Sequence, residues 1–387
     1  MIPYGRQDIT VKDIKEVDKI LRSDFLTQGP VVPQFEKKVS EYCNAKYAVA
    51  VNSATSALHI ACLALGLKPG DWLWTSPNTF VASANCALYC GAKVDFVDIN
   101  PYTYNMCISA LTEKLKKAEK QGKLPKILIP VHFGGHPCDM EKIKKLSKKY
   151  GFKIIEDASH AIGASYNNTK VGSCKHSDIT VFSFHPVKII TTGEGGMALT
   201  NNRTIIENMK ILRSHGITRD KRLMQKTPKN EIWNYQQIEL GYNYRITDLQ
   251  AALGLSQLNR LDKYTAIRHK IVKFYNLELS KLNVQLPVQS DNAYSSYHLY
   301  PIRIKKNSSK VSQTFFYKAM WKKNIAVNLL YIPVHRHPYY SKLGFQKGDF
   351  PEAEKFHREV ICLPLFPKLS HKEQKFVVQS IKSILNQ

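Results

Sequence analysis

The sequence predicts an α/β protein: a mostly parallel sheet sandwiched by helices, followed by a smaller C-terminal α+β domain. Three observations carry this prediction. Short apolar runs alternate with amphipathic segments through the first half, the pattern of strands buried on both faces and joined by helices. The chain of 387 residues is long enough for two domains. From about Tyr297 the alternation gives way to shorter, mixed elements. The predicted division is a large domain with an N-terminal arm over 1–255, then a bridging helix and small domain over 256–387.

The elements follow in order. "KYAVAV" reads as a strand, and "TSALHIACLALGL" as a helix closed by Gly66. "DWLWTS" is a strand, "TFVASANCALYCG" a helix and "KVDFVDI" a strand. "KILIPVHF" is the next strand, "MEKIKKLSKKYG" a helix and "FKIIEDA" a strand. "SDITVFSF" and "GGMALTNN" complete the sheet. One long helix is expected from about 247 to 281, bridging the two domains. "YHLYPIRI", "FFYKAMWKKNI", "AVNLLYIPV" and a final helix would build the small domain.

Composition narrows the function classes. Hydrophobic content of 43% and charged content of 22% are ordinary for a globular chain. No apolar run is long enough for a membrane helix. The N-terminus lacks the basic-then-apolar design of a signal peptide, so a cytoplasmic protein is expected. Eight scattered cysteines with no CxxC pair read as reduced core residues, not metal ligands or disulfides. The net charge of +25 raises the question of nucleic acid. The lysines, however, alternate with apolar residues in "TEKLKKAEKQGK" and "MEKIKKLSKKYG", which marks the wet faces of amphipathic helices. No nucleic-acid partner is expected. A positive field would favour a small anionic substrate.

Ligands of parallel sheets bind at the carboxyl ends of strands, so the residues there are the candidates. After "AVAV", Ser53, Ala54, Thr55 and Ser56 lead straight into a helix whose free amides suit a phosphate; a plain N-cap is the alternative. After "WLWTSPN", Phe80 reads either as the wall of a flat ligand site or as core. His132, after "ILIPV", has a similar double reading. After "FKIIE", Asp157 either holds a positive ligand atom or caps a helix, with His160 one turn on. Lys188 sits in the apolar run "VFSFHPVKII", where an ammonium is costly and an unprotonated amine would be a nucleophile for an aldehyde. Ser183 precedes it by five residues, and His185 lies between them. Pyridoxal phosphate needs a lysine for its aldehyde, an acid for its ring nitrogen, a phosphate cup and an aromatic over its ring, and the chain offers all four, with the lysine 31 residues after the acid.

At these residues the chain resembles the DegT-type pyridoxal-phosphate-dependent nucleotide-sugar aminotransferases, which have the aspartate aminotransferase fold. "FLTQGPVVPQFE", "NSATSALHIACLALGL", "EDASHAIGA", "FSFHPVKIITTGEGG", "RSHG" and "GYNYRITDLQAALGLSQL" carry the resemblance over nearly the whole chain. "GDWLWTSPNTFVASANCALYCGAKVDFVDI" is similar to the branch acting in pseudaminic acid biosynthesis. The resemblance implies transfer of an amino group from L-glutamate to C4 of a UDP-linked 4-keto sugar; another nucleotide 4-keto or 3-keto deoxysugar is the alternative. It implies that Lys188 bonds the cofactor aldehyde, Asp157 pairs with the ring nitrogen, Phe80 stacks on the ring and His160 lies by its 3-hydroxyl. Ala54, Thr55 and Ser183 would bind phosphate, and Asn243 would reach it from a second subunit, implying a homodimer. Substrate contacts would come from Tyr4, the stretch Asp24, Phe25, Leu26 and Thr27, His185, Asn243, Tyr331 and His335; for Tyr331 and His335 ordinary packing is the alternative. Asn78 departs from the apolar residue expected there and adjoins Phe80.

Overall fold

A computed structural model describes residues 1–226, 231–305 and 311–386. Its main sheet has seven strands: β1 (Tyr47–Val51), β2 (Trp72–Thr75), β3 (Lys93–Phe96), β4 (Ile127–Ile129), β5 (Lys153–Asp157), β6 (Ile179–Ser183) and β7 (Gly196–Thr200). Their order is β1-β7-β6-β5-β4-β2-β3. β7 is antiparallel to both neighbours, and the remaining pairings are parallel. Six strands therefore end on the same side of the sheet.

Strand chemistry explains the double burial. Side chains alternate between faces along a strand. Val49 and Val181 join one core cluster, while Ala50 and Phe182, one residue on, join another. Helices cover both faces: α2 (Val31–Cys43), α3 (Ala54–Ala64), α4 (Ala82–Tyr89), α5 (Ile108–Lys120), α6 (Met140–Tyr150) and α7 (Arg203–Arg213), while α1 (Val11–Leu21) lies outside them and buries only Asp13. The lysine-rich helices α5 and α6 bury only Leu111, Leu115 and Ala118, and Met140, Ile143, Ser147 and Tyr150, respectively.

The single helix expected over 247–281 is two: α8 (Asp248–Leu258) and α9 (Leu261–Leu279). Arg260 leaves helical geometry at the junction (φ −112°, ψ 3°). Its guanidinium reaches the buried Asp13 of α1 at 2.8 and 2.6 Å. The break lets α8 pack on α1 and α2 while α9 enters a separate core. That core joins Ile271 and Tyr275 to Tyr300, Ile302, Phe316, Ile361 and Ile381. They come from α9, β8 (Tyr300–Arg303), α10 (Gln313–Lys322), β9 (Val360–Leu363) and α13 (His371–Leu385), with β8 and β9 antiparallel. α11 (Pro338–Ser341) and α12 (Pro351–Glu359) instead join the cluster of Val49 and Val181, through Tyr340, Ala353 and Phe356. "AVNLLYIPV" forms only a bridge, Asn328 with Cys362, and then turns Leu330 and Tyr331 toward a cavity.

All eight cysteines carry free thiols. No helix among the described residues is long and apolar enough to cross a membrane.

Candidate active site

A cavity of about 760 Å³ opens at the carboxyl ends of β1, β2, β4, β5 and β6. It gathers Tyr4, Ala54, Thr55, Phe80, Asp157, His160, Ser183, His185, Lys188 and Tyr331.

The turn after β1 forms its cup. Ser53 caps α3, its hydroxyl accepting from Ser56 N at 3.1 Å. The Ser56 hydroxyl donates to Asn52 Oδ1 at 2.6 Å. The first amides of α3 to find partners are those of Ser56 and Ala57, so Ala54 and Thr55 offer theirs to a ligand. Gly196 of β7 lies close beneath: a Cβ there would fall 2.5 Å from Ala54 N. Ser183, at the end of β6, lines the same cup.

Asp157 ends β5 and is held on both oxygens. Ser83 of α4 donates to Oδ2 at 2.6 Å, and Ser159 N donates to Oδ1 at 3.1 Å. Since the carboxylate can only accept, Ser83 in turn accepts from Thr79, 2.7 Å away. Asp157 is not a helix cap. Phe80 is not core: 59% of it is exposed, at the cavity wall.

Lys188 stands in the cavity, and burial lowers its ammonium to about 8, while Asp157 opposes the shift. About a tenth of it is then unprotonated at pH 7, far more than for an exposed lysine. His160 Nδ1 accepts from Gly134 N at 3.2 Å, so its proton lies on Nε2, 3.1 Å from the Tyr331 hydroxyl. Burial first, then Lys188, hold His160 well below its usual range, so its ring is neutral. Burial, then Asp157, raise the Tyr331 phenol and keep it protonated.

Other candidates lie elsewhere. His335 is fully buried; Nε2 is 3.0 Å from Glu354 Oε1 and its ring packs on Phe350 at 4.8 Å. His132 likewise bonds buried Glu156, at 2.8 Å, while Cys138 N donates to its other nitrogen. Asp24, Phe25, Leu26 and Thr27 lie outside the cavity wall; Thr27 bridges to Thr247. Asn243 pairs with Ser214 and lies outside the cavity of its own chain. Asn78 points to the Tyr104 carbonyl at 3.4 Å and not into the ring pocket. Residues that sequence reasoning passed over include Asn52, Ser83, Ser159, Glu194, Gln250 and His298. Ser83 had a signal: it falls one turn after Thr79, on a helix starting at a strand end.

These groups fit pyridoxal phosphate by their chemistry. Free amides and hydroxyls suit its phosphate, an anchored carboxylate suits its ring nitrogen, a depressed lysine suits its aldehyde, and an exposed aromatic suits its flat face. Fold and site thus define an enzyme of the aspartate aminotransferase type, built around a nucleophilic lysine. The chain belongs to the DegT/DnrJ/EryC1/StrS aminotransferase family, whose profile matches residues 7–382. It is 39% identical over 386 residues to the UDP-4-amino-4,6-dideoxy-N-acetyl-beta-L-altrosamine transaminase of Campylobacter jejuni, covering 100% of this chain and 98% of that relative. It is 35% identical to the spore coat polysaccharide biosynthesis protein SpsC of Bacillus subtilis, covering 99% and 97%. Helicobacter pylori PseC, an aminotransferase involved in the biosynthesis of pseudoaminic acid, superposes with a TM-score of 0.90 at 29% identity, over 100% and 99% of the two chains. Spr1654 of Streptococcus pneumoniae in its PLP-form superposes at 0.89 with 30% identity, over 100% and 98%.

Proposed function

We propose that this chain is a pyridoxal-phosphate-dependent aminotransferase. It moves the amino group of L-glutamate to C4 of a UDP-linked 4-keto-6-deoxy-N-acetylhexosamine, giving UDP-4-amino-4,6-dideoxy-N-acetyl-β-L-altrosamine for pseudaminic acid biosynthesis. The observation that carries the reading is Lys188, depressed to about 8, in one cavity with the doubly anchored Asp157 and the amide cup of α3. The choice of sugar rests on the 39% identical Campylobacter jejuni relative.

When bound, the cofactor supplies an electron sink that makes the C–H bond beside the reacting nitrogen acidic. The residues do the rest. Ala54, Thr55 and Ser183 hold the phosphate. Asp157, fixed by Ser83 and Ser159, keeps the ring nitrogen protonated. Phe80 would cover the ring and His160 would serve its 3-hydroxyl, with Tyr331 hydrogen-bonded to His160. Lys188 would hold the cofactor through its aldehyde, and its free amine would move a proton as base and then acid. Tyr4, His185 and Tyr331 face the substrate.

The working unit is a homodimer in which Asn243, with the arm residues Asp24–Thr27, serves the neighbouring subunit's site. Exposed Phe25, Leu26, Trp233 and Leu240 support this, since such apolar surface calls for a partner. His335 acts by buttressing the 331–336 segment through Glu354. The division at 255/256 and a cytoplasmic location belong to the same reading.

The test is spectroscopic. Purified with cofactor, the wild type is yellow. Lys188→Ala loses the lysine-dependent visible band and about 10²–10⁴-fold or more in rate. A colourless, inactive wild type in the presence of added cofactor would overturn the assignment.

A further inference from the structure

One polar ring in the cavity wall is left without a task by this reading. His298 is 5% exposed and lines the cavity. Its Nδ1 is sealed from solvent with no partner, and no described residue bonds its Nε2. An unpaired buried polar atom is costly, so it calls for a reason.

The fold fixes this ring from two sides. Arg268, 2% exposed and without a carboxylate, donates to the carbonyls of Tyr297, His298 and Leu365 at 3.1, 3.4 and 2.9 Å. On the other side Ser296 N and Leu299 N donate to Gly135 O and Gly134 O at 3.1 and 3.2 Å. The Ser296 hydroxyl donates to His160 O at 2.7 Å. A Cβ on Gly135, whose φ is +94°, would run into Ser296, His160 and Tyr297, so only glycine permits this approach. The His298 ring then rests against His160, centroids 4.4 Å apart.

Burial, followed by His160, Lys188, Arg268 and His185, drives the imidazole well below its usual range, so it is neutral. A buried lone pair without a partner is tolerated better than a buried N–H without one. The proton therefore sits on Nε2, the nitrogen that is not sealed. That N–H is a donor in positive surroundings, in a cavity wall to which this chain contributes no arginine. An anionic acceptor suits it.

Resting on the aminotransferase reading, we propose that His298 touches the bound reactants, donating through Nε2 to an anionic oxygen: a carboxylate of the amino donor or the phenolate of the cofactor. A ring that merely filled space behind His160 would be replaceable by phenylalanine.

His298→Phe and His298→Gln in the full-length dimer decide the matter, read by the cofactor dissociation constant, by KM for L-glutamate and by KM for the keto sugar. Phenylalanine keeps the ring; glutamine keeps a donor. The expected result is a rise of about tenfold or more in one of the first two constants for Phe, with Gln within about threefold of wild type, the size of one hydrogen bond to a charged group. A rise in glutamate KM with cofactor affinity unchanged assigns the donor carboxylate; a rise in the cofactor constant assigns the phenolate. Wild-type constants in His298→Phe, or equal damage in both variants, would overturn the proposal. Should His298→Phe not fold, His298→Leu takes its place against Gln. The aminotransferase reading fails separately, if the wild type binds cofactor but aminates no keto sugar.

Discussion

At the residue scale, Lys188 is governed by two opposed influences. Burial favours the amine, and the nearby Asp157 carboxylate favours the ammonium. Recombination of pyridoxal phosphate with the cofactor-free protein needs the amine, so its rate should rise with pH about a midpoint near 8. Removing the opposing charge with Asp157→Asn should move that midpoint down, readable by stopped-flow absorbance; an upward move would contradict the account. Lys188 stood out in the sequence because apolar neighbours flank it. His132, a candidate by its place after a strand, and His335, a candidate by the resemblance, are buried against acids 24 and 19 residues distant. Local sequence gives a histidine's neighbours in the chain and not its partner in space. For the same reason Ser83 and His298 escaped notice: one acts through Asp157, 74 residues on, and the other is placed by Arg268 and Gly135.

At the element scale, the turn after β1 depends on its closeness to β7. Gly196→Ala puts a methyl group 2.5 Å from Ala54 N and must push the amide cup away. Cofactor affinity should fall about tenfold, or ~1.4 kcal/mol, in equilibrium dialysis, since overpacking of this kind costs about 1–3 kcal/mol. The break between α8 and α9 rests on the buried Asp13–Arg260 pair. Asp13→Ala should cost about 1–3 kcal/mol in urea unfolding, because the half-buried Arg260 loses its carboxylate while keeping solvent contact and its bonds to Tyr264 and Ser256. Burial raises the Asp13 pKa, but Arg260, Ser256 and Thr10 outweigh it, leaving the carboxyl below its usual range. Its contribution is therefore present above the ordinary carboxylate range and lost as pH falls below it. Strands and the short helices between them were legible because their periods differ. The break was not, because the apolar pattern continues across Asn259 and Arg260 and the cause lies in α1.

At the scale of the whole molecule, the sheet explains why scattered residues form one site: parallel strands end together, so positions 54, 80, 157, 183 and 188 meet at one edge. Part of the +25 charge sits on lysines of the wet faces of α5 and α6. The exposed apolar residues lie elsewhere, Trp233 at 69% and Leu240 at 77%. Sedimentation velocity should therefore give twice the chain mass. The double change Trp233→Glu and Leu240→Glu should yield monomers that bind cofactor at least about tenfold more weakly; monomers with full affinity would remove the role given to Asn243. The central claim is the reaction itself. Its most direct test incubates the holoenzyme with L-glutamate and a panel of UDP- and dTDP-linked 4-keto sugars and identifies products by NMR. The account predicts an amine at C4 of the UDP-linked N-acetylated 6-deoxy sugar, in the β-L-altro configuration; amination of a dTDP sugar alone, or of none, would contradict it.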